Sequence, residues 1–148
     1  MLRAARQQER AVATRQSWSI VVFSVGGMKL AAKAEDVGGI SAWGSDVPVP
    51  SRTPFVGSLV KRDKDVLPVY DLAARLNRQR ETESTLCLVT RHAEGPMAIC
   101  IDAEIPSLHT VDASEVRPSR RNDIETIGSF VRDGLDIDIV ALRRLGQS

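Results

Sequence analysis

Aromatic side chains are scarce in this 148-residue chain, which has two Trp, one Tyr and three Phe. So few rings weaken any stacking mechanism for single-stranded nucleic acid, which sets successive bases on aromatic faces. An excess of one charge is also missing. Twenty Lys and Arg stand against 19 Asp and Glu, a formal net charge of +1, which argues against a polyelectrolyte binder. No apolar run approaches the roughly 20 residues of a membrane-spanning helix. The N-terminus lacks the apolar stretch of a signal peptide, so a cytoplasmic location is expected. There are only two cysteines and two histidines. Cys87 and Cys100 alternate with aliphatic residues and are expected as small core thiols. With no C-x-x-C and no His cluster, no metal site is expected. His92 and His109 fall in or near turns, are expected on the surface, and lack the surroundings of a nucleophile motif. Gly26-Gly27 and Gly38-Gly39 do not match a dinucleotide fingerprint. No catalytic, cofactor-binding or metal residues are expected, and no cofactor.

What is present is a succession of short β-type segments. Residues 1–16 carry four Arg against one Glu, and are expected to form a flexible or helical N-terminal tail. Trp18–Val25 is β-branched and aromatic, Gly26-Gly27 signals a hairpin, and Met28–Ala32 returns. A polar connection, Ala34–Asp36, leads to an extended piece from Val37. Ser45–Pro54 has three prolines and reads as loop. In Gly57–Leu76 (GSLVKRDKDVLPVYDLAARL) an apolar strand meets a charged turn, a second strand and a short helix capped by Asp71. Pro68 in that second strand predicts an edge strand or a bulge, because proline donates nothing to a ladder. Thr85–Thr90 and Pro96–Ile101 form another strand pair, Val116–Asp123 is basic loop, and Ile124–Leu145 closes with strand, turn, strand and short helix. In Asp133–Asp138 the aspartates alternate with Leu135 and Ile137, which suits a strand better than a calcium loop.

The chain also repeats itself. Gly57-Ser58-Leu59-Val60-Lys61 returns 71 positions later as Gly128-Ser129-Phe130-Val131-Arg132. Asp71-Leu72 with Leu76 is matched by Asp138-Ile139 with Leu142, at an offset of 67 at the aspartate, Met28 by Met97 at 69, and Val37 by Ile105 at 68. The drift predicts a longer turn in the first copy. Two β modules follow, about 17–83 and 84–145. Five short strands leave edges unless they close into a small barrel. Two such barrels need a shared apolar layer, because each alone is marginal, and a cleft between them favours binding.

Within this order, Thr53–Gly57 (TPFVG), Val66–Leu72 (VLPVYDL) and the closing Ile137–Leu142 (IDIVAL) resemble the CheW-like domain of chemotaxis coupling proteins over about Ser17 to Leu145. The resemblance implies an all-β fold of two SH3-like five-stranded barrels with short connecting helices. It also implies an adaptor without enzymatic activity, coupling a methyl-accepting chemoreceptor to a CheA-type histidine kinase in two-component signalling. One barrel would dock on the kinase, and the groove between barrels would take the receptor's helical tip. The chain departs from the family at two places. The family's Arg-Gly turn reads Lys61-Arg62-Asp63-Lys64-Asp65, so Arg62 matches the arginine and Asp63 replaces the glycine. A glutamate common two residues after the connection valine is Gly39. In the family that glutamate and arginine act together at the interface.

By position, the candidate partner-binding residues are Val37, Gly39, Ile40, Gly57, Ser58, Arg62, Ile105 and Phe130. The rival reading is a small β-barrel that binds nucleic acid through Arg117, Arg120 and Arg121. Near-neutral charge and few aromatics favour the adaptor, for which neither nucleic acid nor membrane insertion is expected.

Overall fold

The structure, a computed structural model, describes residues 17–80 and 85–146. The expected N-terminal tail, 1–16, lies outside them. In chain order the strands are β1 (Ser17–Val25), β2 (Met28–Lys33), β3 (Val37–Ala42), β4 (Asp46–Pro48), β5 (Val56–Arg62) and β6 (Asp65–Tyr70), then β7 (Leu86–Thr90), β8 (Met97–Ile101), β9 (Ser107–Asp112), β10 (Thr126–Arg132) and β11 (Leu135–Val140). The helix α1 (Leu72–Arg75) and single 3-10 turns at Ala34–Asp36, Ala113–Glu115 and Leu142–Arg144 connect them. The short stretch expected as loop at Asp46–Pro48 is a strand, because its residues pair with Val60, Leu59 and Ser58.

Two sheets result, ordered β10-β11-β2-β1-β9 and β3-β7-β8-β6-β5-β4. Each closes through one bent strand. β3 pairs with β7, and its continuation β4 pairs with β5 on the far edge. In the same way β9 pairs with β1, and the chain beyond it reaches β10, where Arg117 and Ser129 exchange backbone hydrogen bonds of 2.8 and 2.7 Å. Both sheets therefore become small closed barrels, which removes free edges. The mostly-β, two-sheet fold matches the one expected.

The boundary between the barrels differs from the expected split near residue 84. The first barrel takes β1 and β2 from the beginning of the chain and β9 to β11 from its end, while the second takes β3 to β8. The repeat is real but interleaved, with each leading hairpin inserted into the barrel of the other copy. It joins there through short parallel ladders, Leu30 and Ala31 beside β11 and Ala98 beside Val69. Its register also differs from the sequence match. Arg62 pairs with Asp65 across the β5–β6 turn, and Arg132 pairs with Leu135 across the β10–β11 turn. Both turns hold two residues, so the first is not longer. Asp138 corresponds to Pro68 rather than to the cap Asp71, whose counterpart is Ala141. Pro68 lies in an interior strand, not at an edge. It is tolerated because the ladder to β8 engages only the next residue, Val69.

Three apolar clusters hold this arrangement. Ile20, Val22, Ala31, Val111, Phe130, Ile137 and Ile139 fill the first barrel. Val60, Leu67, Val69, Cys87, Val89 and Ala98 fill the second. The largest cluster lies between them and includes Phe23, Leu30, Leu72, Leu88, Ile99, Val140 and Leu142. Strand alternation explains this division. On β7, Cys87 and Val89 point into the barrel while Leu88 points to the shared layer. α1 adds Leu72, Ala73 and Leu76 to that layer, and the Asp71 carboxylate accepts a hydrogen bond from Ala74 N–H at 3.1 Å, as its cap position predicts.

Polar locks cross between the copies. Asp102, at the end of β8, accepts hydrogen bonds from Gly26 and Gly27 N–H at 2.9 and 2.8 Å. That glycine pair has φ of 56° and 83°, the doubly positive geometry that a tight hairpin turn demands. Asp36 pairs with Arg143, far along the chain. His92 is buried, contrary to its expected surface position. Its Nδ1 accepts from Glu94 N–H at 3.1 Å, which leaves Nε2 to donate to the Leu145 carbonyl at 2.7 Å. A turn position gave no sign of this, because the C-terminal segment that covers it is remote in sequence.

Candidate functional site

The mouth of the second barrel brings Gly39 and Arg62 together. Arg62 ends β5, and its guanidinium folds across β3, where Nε donates to Ser41 Oγ at 3.1 Å. A Cβ placed on Gly39 would lie 2.8 Å from the Arg62 terminal nitrogen. The missing side chain at 39 is therefore what lets the arginine settle there. Among the described residues, no carboxylate forms an ion pair with Arg62. Beside it is an open depression of about 340 Å³, lined by Ser41, Trp43, Val60, Arg62 and Cys87 among others. Arg80 stacks over Trp43 at its rim, 5.0 Å from the ring centroid, and also reaches Asp46 at 3.8 Å.

The corresponding position in the first barrel is Arg132, and there the charge is satisfied. Its guanidinium donates to Glu115 at 3.1 Å and to the Thr110 carbonyl at 3.0 Å, and it lies 5.6 Å from the Phe130 ring centroid. Glu115 also accepts from Asp112 N–H, while the Asp112 carboxylate accepts from Ser114, completing a capping box. These bonds hold both carboxyls below their ordinary values, Asp112 through Ser114 and Glu115 through Arg132 first.

The other candidates are dispersed. Val37 begins β3 and is half-buried against the shared layer. Ile40 points away from the barrel and is 39% exposed. Gly57 and Ser58 lie at the opposite end of β5 from Arg62, with Gly57 in the bulge between Val56 and Ser58. Ile105 precedes β9 and is 83% exposed, far more open than a residue lining a cleft. Phe130 is not available to a partner, because its ring fills the first barrel. Its outward-facing neighbour Val131 is half exposed.

At the junction of the barrels lies a second depression of about 320 Å³, lined by Tyr70, Arg75, Asp123, Glu125 and Arg144 among others. None of the candidate residues reaches it. Burial pushes the Tyr70 phenol up, and the Arg75 guanidinium beside it partly offsets this. In the basic loop of the rival reading, the Arg121 side chain is engaged by neighbouring carboxylates. Arg117 bridges to β10 through its backbone, and Arg121 pairs with Asp138 at 3.0 Å and Asp123 at 2.8 Å. Sequence reasoning missed Ser41, Trp43 and Arg132. Only the position of Arg132 at the end of the repeated strand could have flagged it.

The two sheets make a pair of closed barrels that share one apolar layer. The family model for the CheW-like domain matches residues 19–145, and the chain belongs to that family of chemotaxis scaffold proteins. A solved structure of the scaffolding protein TtCheW from Thermoanaerobacter tengcongensis superposes with a TM-score of 0.74 at 19% identity, covering 86% of each chain, a likeness of fold. No curated protein matches the sequence.

Proposed function

We propose that this chain is a non-enzymatic scaffold coupling a methyl-accepting chemoreceptor to a CheA-type histidine kinase, working at receptor arrays on the inner face of the membrane. The observation that carries the proposal is the family match, which extends over nearly all of the described chain. The mouth around Arg62 and Gly39 is the contact point we assign. Arg62 offers a half-buried guanidinium with one neutral hydroxyl as partner, and a partner's carboxylate would make the stronger, charge-assisted bond there. Where the family supplies an acidic side chain at position 39, this chain leaves that role to the partner, so its partner choice differs from that of typical members.

Pull-down from the source cell tests the coupling. Recovery of a CheA-type kinase supports it, and recovery of neither kinase nor receptor under conditions that preserve such complexes overturns it. Binding to kinase regulatory domains and receptor tips tests the altered recognition. Tight binding to typical partners that is abolished by Arg62→Ala would sink that part, because the arginine would then be working in the ordinary way.

A further inference from the structure

We propose that Cys87 and Cys100 are an oxidative modification site, closing into a cross-strand disulfide when the protein meets a low-molecular-weight disulfide such as oxidised glutathione. The two residues oppose each other directly in the β7–β8 register. Opposed residues of an antiparallel ladder project to the same face with Cα atoms roughly 4.5 or 5.5 Å apart, depending on the pair type. Both spacings fall inside the range of about 4.4–6.8 Å that a disulfide bridges.

Both thiols are free. Cys87 belongs to the interior cluster of the second barrel, and Cys100 shares the strand parity of Ala98 in the same cluster. Cys87 also lines the depression beside Arg62, which gives a small reagent a route from solvent. The Arg62 charge favours the Cys87 thiolate, while burial and the neighbouring Cys100 disfavour it. Burial dominates, and the thiol is pushed up. The pair is therefore slow at neutral pH and quickens as the solution becomes alkaline.

The exchange balances without any bound cofactor. The Cys87 thiolate attacks one sulfur of the small disulfide, breaking its S–S bond and expelling a thiolate that takes up a proton. The Cys100 thiolate then attacks the Cys87 sulfur of the mixed disulfide and expels the second small thiolate, which is protonated in turn. Two electrons and two protons leave the protein, and two molecules of small thiol are formed.

The test treats the whole folded chain with oxidised glutathione and reads intact mass, then alkylates in denaturant. The expected product is monomeric, lighter by two hydrogens, and resistant to alkylation at both cysteines. Its rate of formation rises about tenfold per pH unit while the thiols remain mostly protonated. Cys100→Ser stops at a single glutathione adduct on Cys87. Two alkylatable thiols after prolonged exposure at alkaline pH, a disulfide between two chains, or an adduct on each cysteine without ring closure would each overturn the proposal.

Discussion

Arg62 and Arg132 occupy the same place in the two barrels, the last residue of β5 and of β10. One is bonded by a carboxylate and a carbonyl, the other by a single hydroxyl. Replacing each by alanine should separate structure from recognition. Arg132→Ala is expected to lower the melting temperature more than Arg62→Ala, and Arg62→Ala to weaken partner binding more than Arg132→Ala, as read by thermal melts and binding titrations on the same proteins. Asp102 makes a sharper stability case. Its buried carboxylate holds two turn N–H groups, so Asp102→Ala should cost about 2–3 kcal/mol in urea unfolding. The glycines separate similarly. Gly134, with φ of 76° and open space around it, should lose about 1 kcal/mol as alanine through backbone strain alone. Gly57, open and without that geometry, should be nearly neutral. At this scale the sequence told part of the story. The Asp71 cap and the Gly26-Gly27 turn were legible because their causes are local. His92 was misplaced, and Phe130 could not be told from a partner-facing residue, because their burial depends on elements far away in the chain.

The hairpins were legible as elements, since alternation and turn residues carry their own signal. The helices were reduced to single turns, because the connections have only a few residues to spend between strands. The repeat could be seen but not registered. Matching Gly57 to Gly128 aligns the glycines, whereas the ladders align Ser58 with Gly128, because both strands carry their bulge at the preceding residue. The capping box after β9 makes a prediction of its own. Asp112 and Glu115 are held below their ordinary values of 3.8 and 4.5. A carboxyl depressed on folding stabilises above its unfolded value and loses that contribution as pH falls through the folded one. Stability should therefore decline on acidification from about pH 5 toward pH 3. Asp112→Asn should flatten that decline, as followed by denaturant midpoints across the range.

Interleaving is a property of the whole molecule, and no local signal announces it. The sequence displays two similar segments in order, and consecutive barrels are the simplest arrangement consistent with that display. The exchange shows in the pairing across the two segments, of β1 with β9, β2 with β11, β3 with β7 and β6 with β8. It follows that neither half can complete a barrel. Fragments ending or beginning between α1 and β7 should each lack dispersed NMR amide signals, and the two mixed together should regain them. Leu142, fully buried in the shared layer, should cost about 3 kcal/mol as alanine. The loss should appear as one cooperative transition rather than as the melting of a single barrel.

The same exchange governs how the chain comes off the ribosome. The hairpin formed by Ser17–Lys33 emerges first, yet its neighbours in the sheet, β9 and β11, are among the last strands made. The second barrel contains only strands from Val37 to Ile101, so it is complete well before the C-terminus is translated, while the leading hairpin waits with an open apolar face. Pairing between such distant partners makes for a high contact order and a slow final step. A double-jump refolding experiment should find the second barrel protected from hydrogen exchange before the first.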